Sequence, residues 1–399
     1  MIVLVINCGS SSLKYQLYDM PARTVLARGV VEKIGAPDSS LAHRRGEEKF
    51  TVETGIPDHQ EAVRHVMDML VHPERGVLRS VREIGAVGHR VVHGGEHYSE
   101  SVVIDSEVIR TIDEMSELAP LHNPANLMGI RAVAKALPHV PMTAIFDTAF
   151  HQTIPPCAYL YPLTYSLYEK YHIRKYGFHG SSHQYIARRS AQLLGKPADA
   201  VNVIICHLGN GASITAVAGG RSVDTTMGFT PLAGLMMGTR SGNIDPAIVT
   251  YLQGKPEYAG AAAIDRLLNK ESGLLGISGV SNDMRALGEA AAANPRARLA
   301  LDMFAYRVKI FIGAYAAVLG RVDAVVFTAG IGENDAQMRA DSLSNLKDSL
   351  GIEIDEKKNR AAIRGWEGDV AAPGSRVRVL VVPTDEEGFM ADETHRLCQ

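Results

Sequence analysis

The sequence predicts an α/β fold built from two halves, each with its own buried sheet. Short apolar runs recur along the chain, and each ends in Gly, Asn, Asp or Ser. Helix-like stretches separate these runs. An apolar strand, a polar glycine turn and a second strand occupy residues 2–18, and the same order returns at residues 202–218. At 399 residues the chain is long enough for two domains, each able to bury a core.

In order, Ile2–Ile6 reads as a strand, Asn7 to Ser12 as the turn, and Leu13–Tyr18 as the return strand. Glu61–Leu70 has helical character. AIFDTAF (Ala144–Phe150) carries a buried strand into a polar end, and NVIICHLGNG (Asn202–Gly211) leads through its turn into ITAVAGG. Asn294-Pro295 opens a long helix over Arg296–Gly320. AVVFTAGIGEN (Ala324–Asn334) and VRVLVVPTDEE (Val377–Glu387) supply two further strands. No fixed short period runs through the chain, so it is not a solenoid. No long linker separates the halves, which implies a cleft that opens and closes.

Composition narrows the function. The chain is 46% hydrophobic and 21% charged, with a net charge of −3. It has no long Lys/Arg run, which argues against a nucleic-acid partner. Four cysteines lie far apart without CxxC spacing, as in a reducing compartment. No basic segment precedes the first apolar run, so a signal peptide is not expected. The longest uncharged apolar stretch, Ile310–Gly320, falls well short of the ~20 residues a membrane crossing needs and is expected as a buried helix. A cytoplasmic protein without a membrane partner follows.

The first turn joins Asn7, Gly9, Ser10 and Ser12 to a single Lys14, on the same strand face as Ser12. Neutral dipoles plus one cation suit a phosphate; a plain hairpin with turn-forming serines is the alternative. His207-Leu208-Gly209-Asn210-Gly211 and Gly330-Ile331-Gly332-Glu333-Asn334 repeat the strand-to-glycine transition. Neither matches the phosphate-loop or dinucleotide fingerprint, yet three such turns favour a nucleotide. Arg90 and Arg240 sit in apolar segments and need an anion, either a structural carboxylate or a bound ligand. His89, His93 and His97, or His179 and His183, have spacings that invite a zinc reading, but a continuous helix is doubtful at both places. His179 and His122 suit hydrogen-bond donors near a reacting group. Asp147 and Glu386 follow buried strands, where they either hold Mg²⁺ or cap helices.

Together VINCGSSSLKY, GHRVVHGGE, LAPLHNPANL, FDTAFH, YGFHGSSH, HLGNGAS, MGTRSGNIDP, SGVSNDMR, FTAGIGEN and PTDEE resemble the acetate kinase family over nearly the whole length, in order. The resemblance implies two ribonuclease-H-like domains of the actin, Hsp70 and sugar-kinase type around a nucleotide cleft. It implies residues 1–150 plus 386–399 as an acyl- and phosphate-binding domain, and residues 151–385 as a nucleotide-binding and dimerisation domain. The implied enzyme is a homodimer that moves the γ-phosphate of ATP reversibly to acetate, giving acetyl phosphate and ADP.

On matching positions it implies Mg²⁺, or Mn²⁺ in its place, at Asn7 and Glu386. ATP falls to Lys14 with Ser10 and Ser12, to His207, Leu208, Gly209, Asn210 and Gly211, to Asp283, Met284 and Arg285, and to Gly330, Ile331, Gly332, Glu333 and Asn334. Arg90 and His122 face the substrate, with Val92, Leu121, Phe178 and Pro231 as the pocket for its methyl group. Asp147 is the catalytic acid/base position, and His179 and Arg240 stabilise the transition state. Two departures stand out: Asn243 where the family commonly has Asp, expected to alter how Arg240 is oriented, and GFMADET after Glu387, expected to disturb packing near Glu386.

Transfer is expected to be direct and in line, without a phosphoenzyme. A simple carboxylic acid, with a pKa of about 4, is already ionised at neutral pH and needs no general base. Asp147 is therefore expected to orient Mg²⁺ and its waters. Propionate kinase is the alternative, and Val92 suggests the smaller acid. An Hsp70-like ATPase is the alternative of a different class, and would need an added peptide-binding domain.

Overall fold

The computed structural model describes residues 1–399 and divides into two compact units, Met1–Gln152 with Asp385–Gln399, and Thr153–Thr384.

The first unit holds eight strands: β1 (Ile2–Cys8), β2 (Ser12–Asp19), β3 (Thr24–Glu32), β4 (Ser40–Arg45), β5 (Glu48–Glu53), β6 (Ile84–Val91), β7 (Val102–Val103) and β8 (Met142–Phe146). Their spatial order is β5-β4-β3-β2-β1-β6-β8-β7. The chain β1 to β5 is an antiparallel meander, and β6 and β8 extend it in parallel with β1. Alternation places Leu13, Tyr15 and Leu17 on one face of β2, where Leu13 and Leu17 pack with Val63, Val66 and Leu70 of the helix His59–Leu70. The helix Glu386–Leu397 lies against β1, β6 and β8. The buried Thr143 and Thr394 hydroxyls, 2.7 Å apart, tie it to β8.

The second unit repeats the plan with β9 (Asn202–Leu208), β10 (Ala212–Ala218), β11 (Arg221–Thr225), β12 (Ala324–Thr328), β13 (Gly368–Asp369) and β14 (Arg378–Val381), ordered β11-β10-β9-β12-β14-β13. An antiparallel meander again precedes two parallel strands, so β3-β2-β1-β6-β8 and β11-β10-β9-β12-β14 have one topology. The repeated strand–turn–strand motif is therefore the start of a duplicated domain. The parallel order also sets the site, because side chains at the carboxyl ends of such strands face a common edge.

Three expectations need correction. The Ile310–Gly320 stretch ends the helix Pro295–Leu319, which Asn294 caps through the amides of Arg296 and Ala297. This helix is buried on one side only: Phe304, Val308 and Ile312 are inside, whereas Ile310 and Val318 are about half exposed. Gly330–Asn334 is not a turn but lies in a short helix, Ala329–Asn334, entered through Ala329 at φ +64°. GFMADET causes no disturbance, since Phe389 and Met390 are buried. The Gly388 amide donates to the capping Asp385 carboxylate at 2.9 Å, and a Cβ at 388 would push that carboxylate aside. No helix of the chain is long and apolar enough to cross a membrane.

Strand β6 also buries His89, whose Nε2 has no partner. Burial pushes its pKa down to about 3, against about 6.5 in an unfolded chain. Between those values the unfolded state binds a proton that the folded state refuses, so stability rises with pH through this window. Acidification from pH 6 to pH 4 is expected to lower the urea midpoint, at up to about 1.4 kcal/mol per pH unit from this group. His89→Leu is expected to flatten that slope, and an unchanged slope would remove His89 as its cause.

Candidate active site

In the first unit the β1–β2 turn is drawn tight by the Gly9 amide, which donates to the Ser12 carbonyl at 2.8 Å. Asn7 pairs with Lys14 across the two strands, which sets both side chains on one face beyond the turn. Two buried side chains hold this turn from behind. His59 Nε2 donates to the Gly9 carbonyl at 2.7 Å, and Asn126 Nδ2 donates to the Cys8 carbonyl at 2.8 Å. Asn126 Oδ1 also accepts the Val92 amide, so one amide side chain fixes the ends of both β1 and β6.

Arg90, near the end of β6, reaches Asp147, the residue after β8. Its Nε donates to Asp147 Oδ1 at 3.0 Å and its Nη2 to Oδ2 at 2.5 Å, a two-pronged pair. Nη1 lies 3.4 Å from Asn7 Oδ1. The Asp147 carboxylate raises the Arg90 pKa further above its ordinary value, with Glu386 and Glu387 adding to the effect. The Arg90 side chain keeps 27% of its surface exposed, whereas Asp147 keeps 2%, so the guanidinium is presented and its carboxylate is hidden. The sequence reading gave that carboxylate to Mg²⁺; in this structure both of its oxygens serve Arg90. Glu386 occupies the first turn of its helix, behind the true cap Asp385. Val92 is buried, while Leu121 is three-quarters exposed and His122 is exposed beside it.

In the second unit His179 stands at φ +59° immediately before the helix Gly180–Leu193. The helix therefore does begin between His179 and His183, where the sequence reading doubted one. Both imidazoles meet the same hydroxyl: His179 Nδ1 and His183 Nε2 lie 2.9 and 2.8 Å from Ser213 Oγ. His179 stacks on His207 with ring centroids 4.2 Å apart. His207 Nδ1 in turn meets Ser182 Oγ at 2.7 Å, and Ser182 meets Thr384. These polar atoms bind one another, and no group of three or more His, Cys, Asp or Glu gathers for a metal.

Arg240 joins this cluster. Its Nη1 donates to the Pro231 carbonyl at 3.2 Å, and Nη1 and His179 Nε2 each lie 3.6 Å from where a Cβ on Gly211 would stand. Glycine at 211 thus leaves open the ground between a guanidinium and an imidazole. No carboxylate pairs with Arg240, and burial lowers its pKa. Asn243 does not orient Arg240 by direct contact; its Oδ1 accepts the Gly234 amide at 2.8 Å and so shapes the turn that carries Pro231.

The remaining predicted residues lie on loops and short helices of the second unit. Asn210 accepts from Asn282 Nδ2 at 3.1 Å, and its Oδ1 occupies the space that a Cβ on Gly238 would take. Asp283 caps the helix Met284–Ala290 and pairs with the exposed Arg285, while Met284 is buried. Glu333 accepts the Thr384 amide at 3.1 Å, and burial raises its pKa. Gly332 is held by a residue the sequence reading missed. Arg339, fully buried, donates to the carbonyls of Gly332, Asn359 and Ala362 and to Asn359 Oδ1, and burial lowers its pKa to about 10. His59, Asn126 and Arg339 were missed because each acts on main-chain atoms that only the folded arrangement brings to it.

Comparison with known proteins follows from these motifs. The family model described as the acetokinase family matches residues 2–392. An acetate kinase of Methanosarcina acetivorans is 57% identical over 401 aligned positions, covering all of this chain and 97% of that protein. One from Desulfitobacterium hafniense is 55% identical, with both chains fully covered. Among solved structures, Porphyromonas gingivalis acetate kinase superposes with a TM-score of 0.96 at 47% identity, each chain fully covered. A propionate kinase from Francisella tularensis gives 0.91 at 41%, with 99% of each chain covered.

Proposed function

The chain belongs to the acetokinase family, and on that premise we propose that it is an acetate kinase, transferring the γ-phosphate of ATP reversibly to acetate by direct in-line displacement. The observation that carries the reading is Arg240, a half-buried guanidinium with no carboxylate partner, set beside His179 and the bare backbone of Gly211. Such a charge calls for an anion brought from outside. A transferring phosphoryl group, whose charge spreads over its oxygens, fits a planar fork and an imidazole donor.

In this reading Arg90 binds the acetate carboxylate. Asp147 acts through Arg90, keeping the fork turned outward and charged, and no proton needs to leave a substrate already ionised. Lys14 and the Asn7–Ser12 turn hold phosphate oxygens in the first unit. In the second, the segments His207–Gly211, Asp283–Arg285 and Gly330–Asn334 hold the nucleotide. In the first unit, Val92 and Leu121 take the methyl group. The donor set at Asn7 and Glu386 fits Mg²⁺, being an amide oxygen and one carboxylate beside the phosphate-binding turn, with waters and phosphates supplying the rest. When bound, Mg²⁺ neutralises charge on the nucleotide phosphates. We place the enzyme in the cytoplasm, as its composition and scattered thiols suggest.

A phosphorylation assay with ATP, Mg²⁺ and a series from formate to butyrate tests the reading. Acetate is expected to give the highest kcat/KM, a peak at propionate would assign the alternative substrate, and no turnover with any acid would end the proposal. Arg240→Lys keeps the charge but loses the fork, and kcat is expected to fall on the order of 10³-fold. Asp147→Asn is expected to raise the acetate KM at unchanged Mg²⁺ requirement, whereas a shifted Mg²⁺ requirement would return this carboxylate to the metal.

We also infer a homodimer formed through the second unit. Leu299, Tyr306, Ile310 and Val318 make an exposed apolar stripe along one side of the helix Pro295–Leu319. Sedimentation is expected to give twice the 43.1 kDa chain mass, and Tyr306→Glu with Ile310→Glu to give the monomer. A wild-type monomer would refute it.

A further inference from the structure

On the first unit's sheet, the face that bears Asn7 and Lys14 continues outward over β3, β4 and β5 as a row of cations. Residues in one cross-strand row share a face, and the register puts Gln16 opposite Arg28, Arg28 opposite Arg44, and Arg44 opposite Lys49. Lys14 heads the neighbouring row, followed by Val30 and Ala42. All four cations are exposed, and none forms an ion pair within the chain. Like charges placed directly opposite destabilise a sheet, so a structure that lines up three without a carboxylate between them carries an unmet demand for negative charge.

The row is not a flat surface. Lys14, Arg28 and Arg44 border a depression of about 220 Å³ floored by Val5, Val30 and Ala42. The Tyr18 hydroxyl donates to Gln16 Oε1 at 2.9 Å, which leaves the Gln16 amide nitrogen as a further donor in the same row. Glu387 stands on the border as a single carboxylate. The small extent of the depression suits a compact anion, and Glu387 disfavours a long phosphate backbone.

We propose that this depression binds a small polyanion whose clustered oxyanions bridge Arg28 and Arg44. Phosphate and carboxylate oxygens share the chemistry that guanidinium forks recognise. The depression adjoins the proposed transfer site and shares Asn7 and Lys14 with it, whereas Arg28 and Arg44 lie outside that site, so occupancy bears on how the β1–β2 turn receives phosphate.

Calorimetric titration of the full chain at fixed ionic strength, once with inorganic tripolyphosphate and once with citrate, tests the proposal and tells the two sources apart. One saturable event is expected with at least one probe. Arg28→Gln/Arg44→Gln is expected to weaken it about tenfold or more, while kcat and the KM for ATP stay unchanged. Both substitutions replace exposed side chains, so folding is retained, and melting temperature checks this. Absence of saturable binding by either probe, or equal affinity in the double variant, overturns the proposal. So does a rise in ATP KM in that variant, which would give these arginines to the nucleotide. Failure of the kinase reading shows separately, as absent turnover in the wild type.

Discussion

A guanidinium withdrawn from water has to be answered by negative charge, and the two units answer that need differently. Arg90 has Asp147, both of whose oxygens it grips, and it keeps a quarter of its own surface free. Arg240 has only the Pro231 carbonyl and no carboxylate. One arginine is thus preorganised by an internal anion, and the other is left for an external one. A chain that moves a negatively charged group toward a negatively charged acceptor needs both arrangements. The first keeps a receptor in fixed orientation. The second holds back attraction until charge arrives.

The scaffold supplies the stiffness. Side chains are tied to main-chain groups at strand ends, in a turn and in a short helix: Asn126 to Cys8 and Val92, His59 to Gly9, Asn243 to Gly234, Arg339 to Gly332. Each bond restrains the segment it reaches, and breaking those of the buried Asn126, His59 and Arg339 leaves a buried group unsatisfied. Duplication explains why this was attainable twice. Both sheets open with a meander whose first hairpin ends in a glycine turn, at Gly9 and at Gly209–Gly211, and both extend it with two parallel strands.

Much of this was legible in the sequence. The strand–turn–strand echo was compatible with duplicated domains, which the family resemblance implied, and apolar runs ending in polar residues located the strand ends near Asp147, His207 and the Gly330 segment. What misled was local. FTAGIGEN reads as a glycine turn, but its last six residues form a helix that the strand enters directly through the left-handed Ala329. The uncharged Ile310–Gly320 stretch suggests burial on all sides, although hydropathy alone does not tell a core face from one left for a partner.

By itself, the order of residues determined the fold class, the family and which side chains are chemically able to hold phosphate and carboxylate. These are properties of period, composition and motif, and they survive without coordinates. Only tertiary structure decided the pairings: that Asp147 serves Arg90, that Ser213 lies between two histidines, and that Arg28, Arg44 and Lys49 fall into one row across three strands. Those residues meet through strand register and sheet order, and a one-residue change of register would turn each side chain to the opposite face.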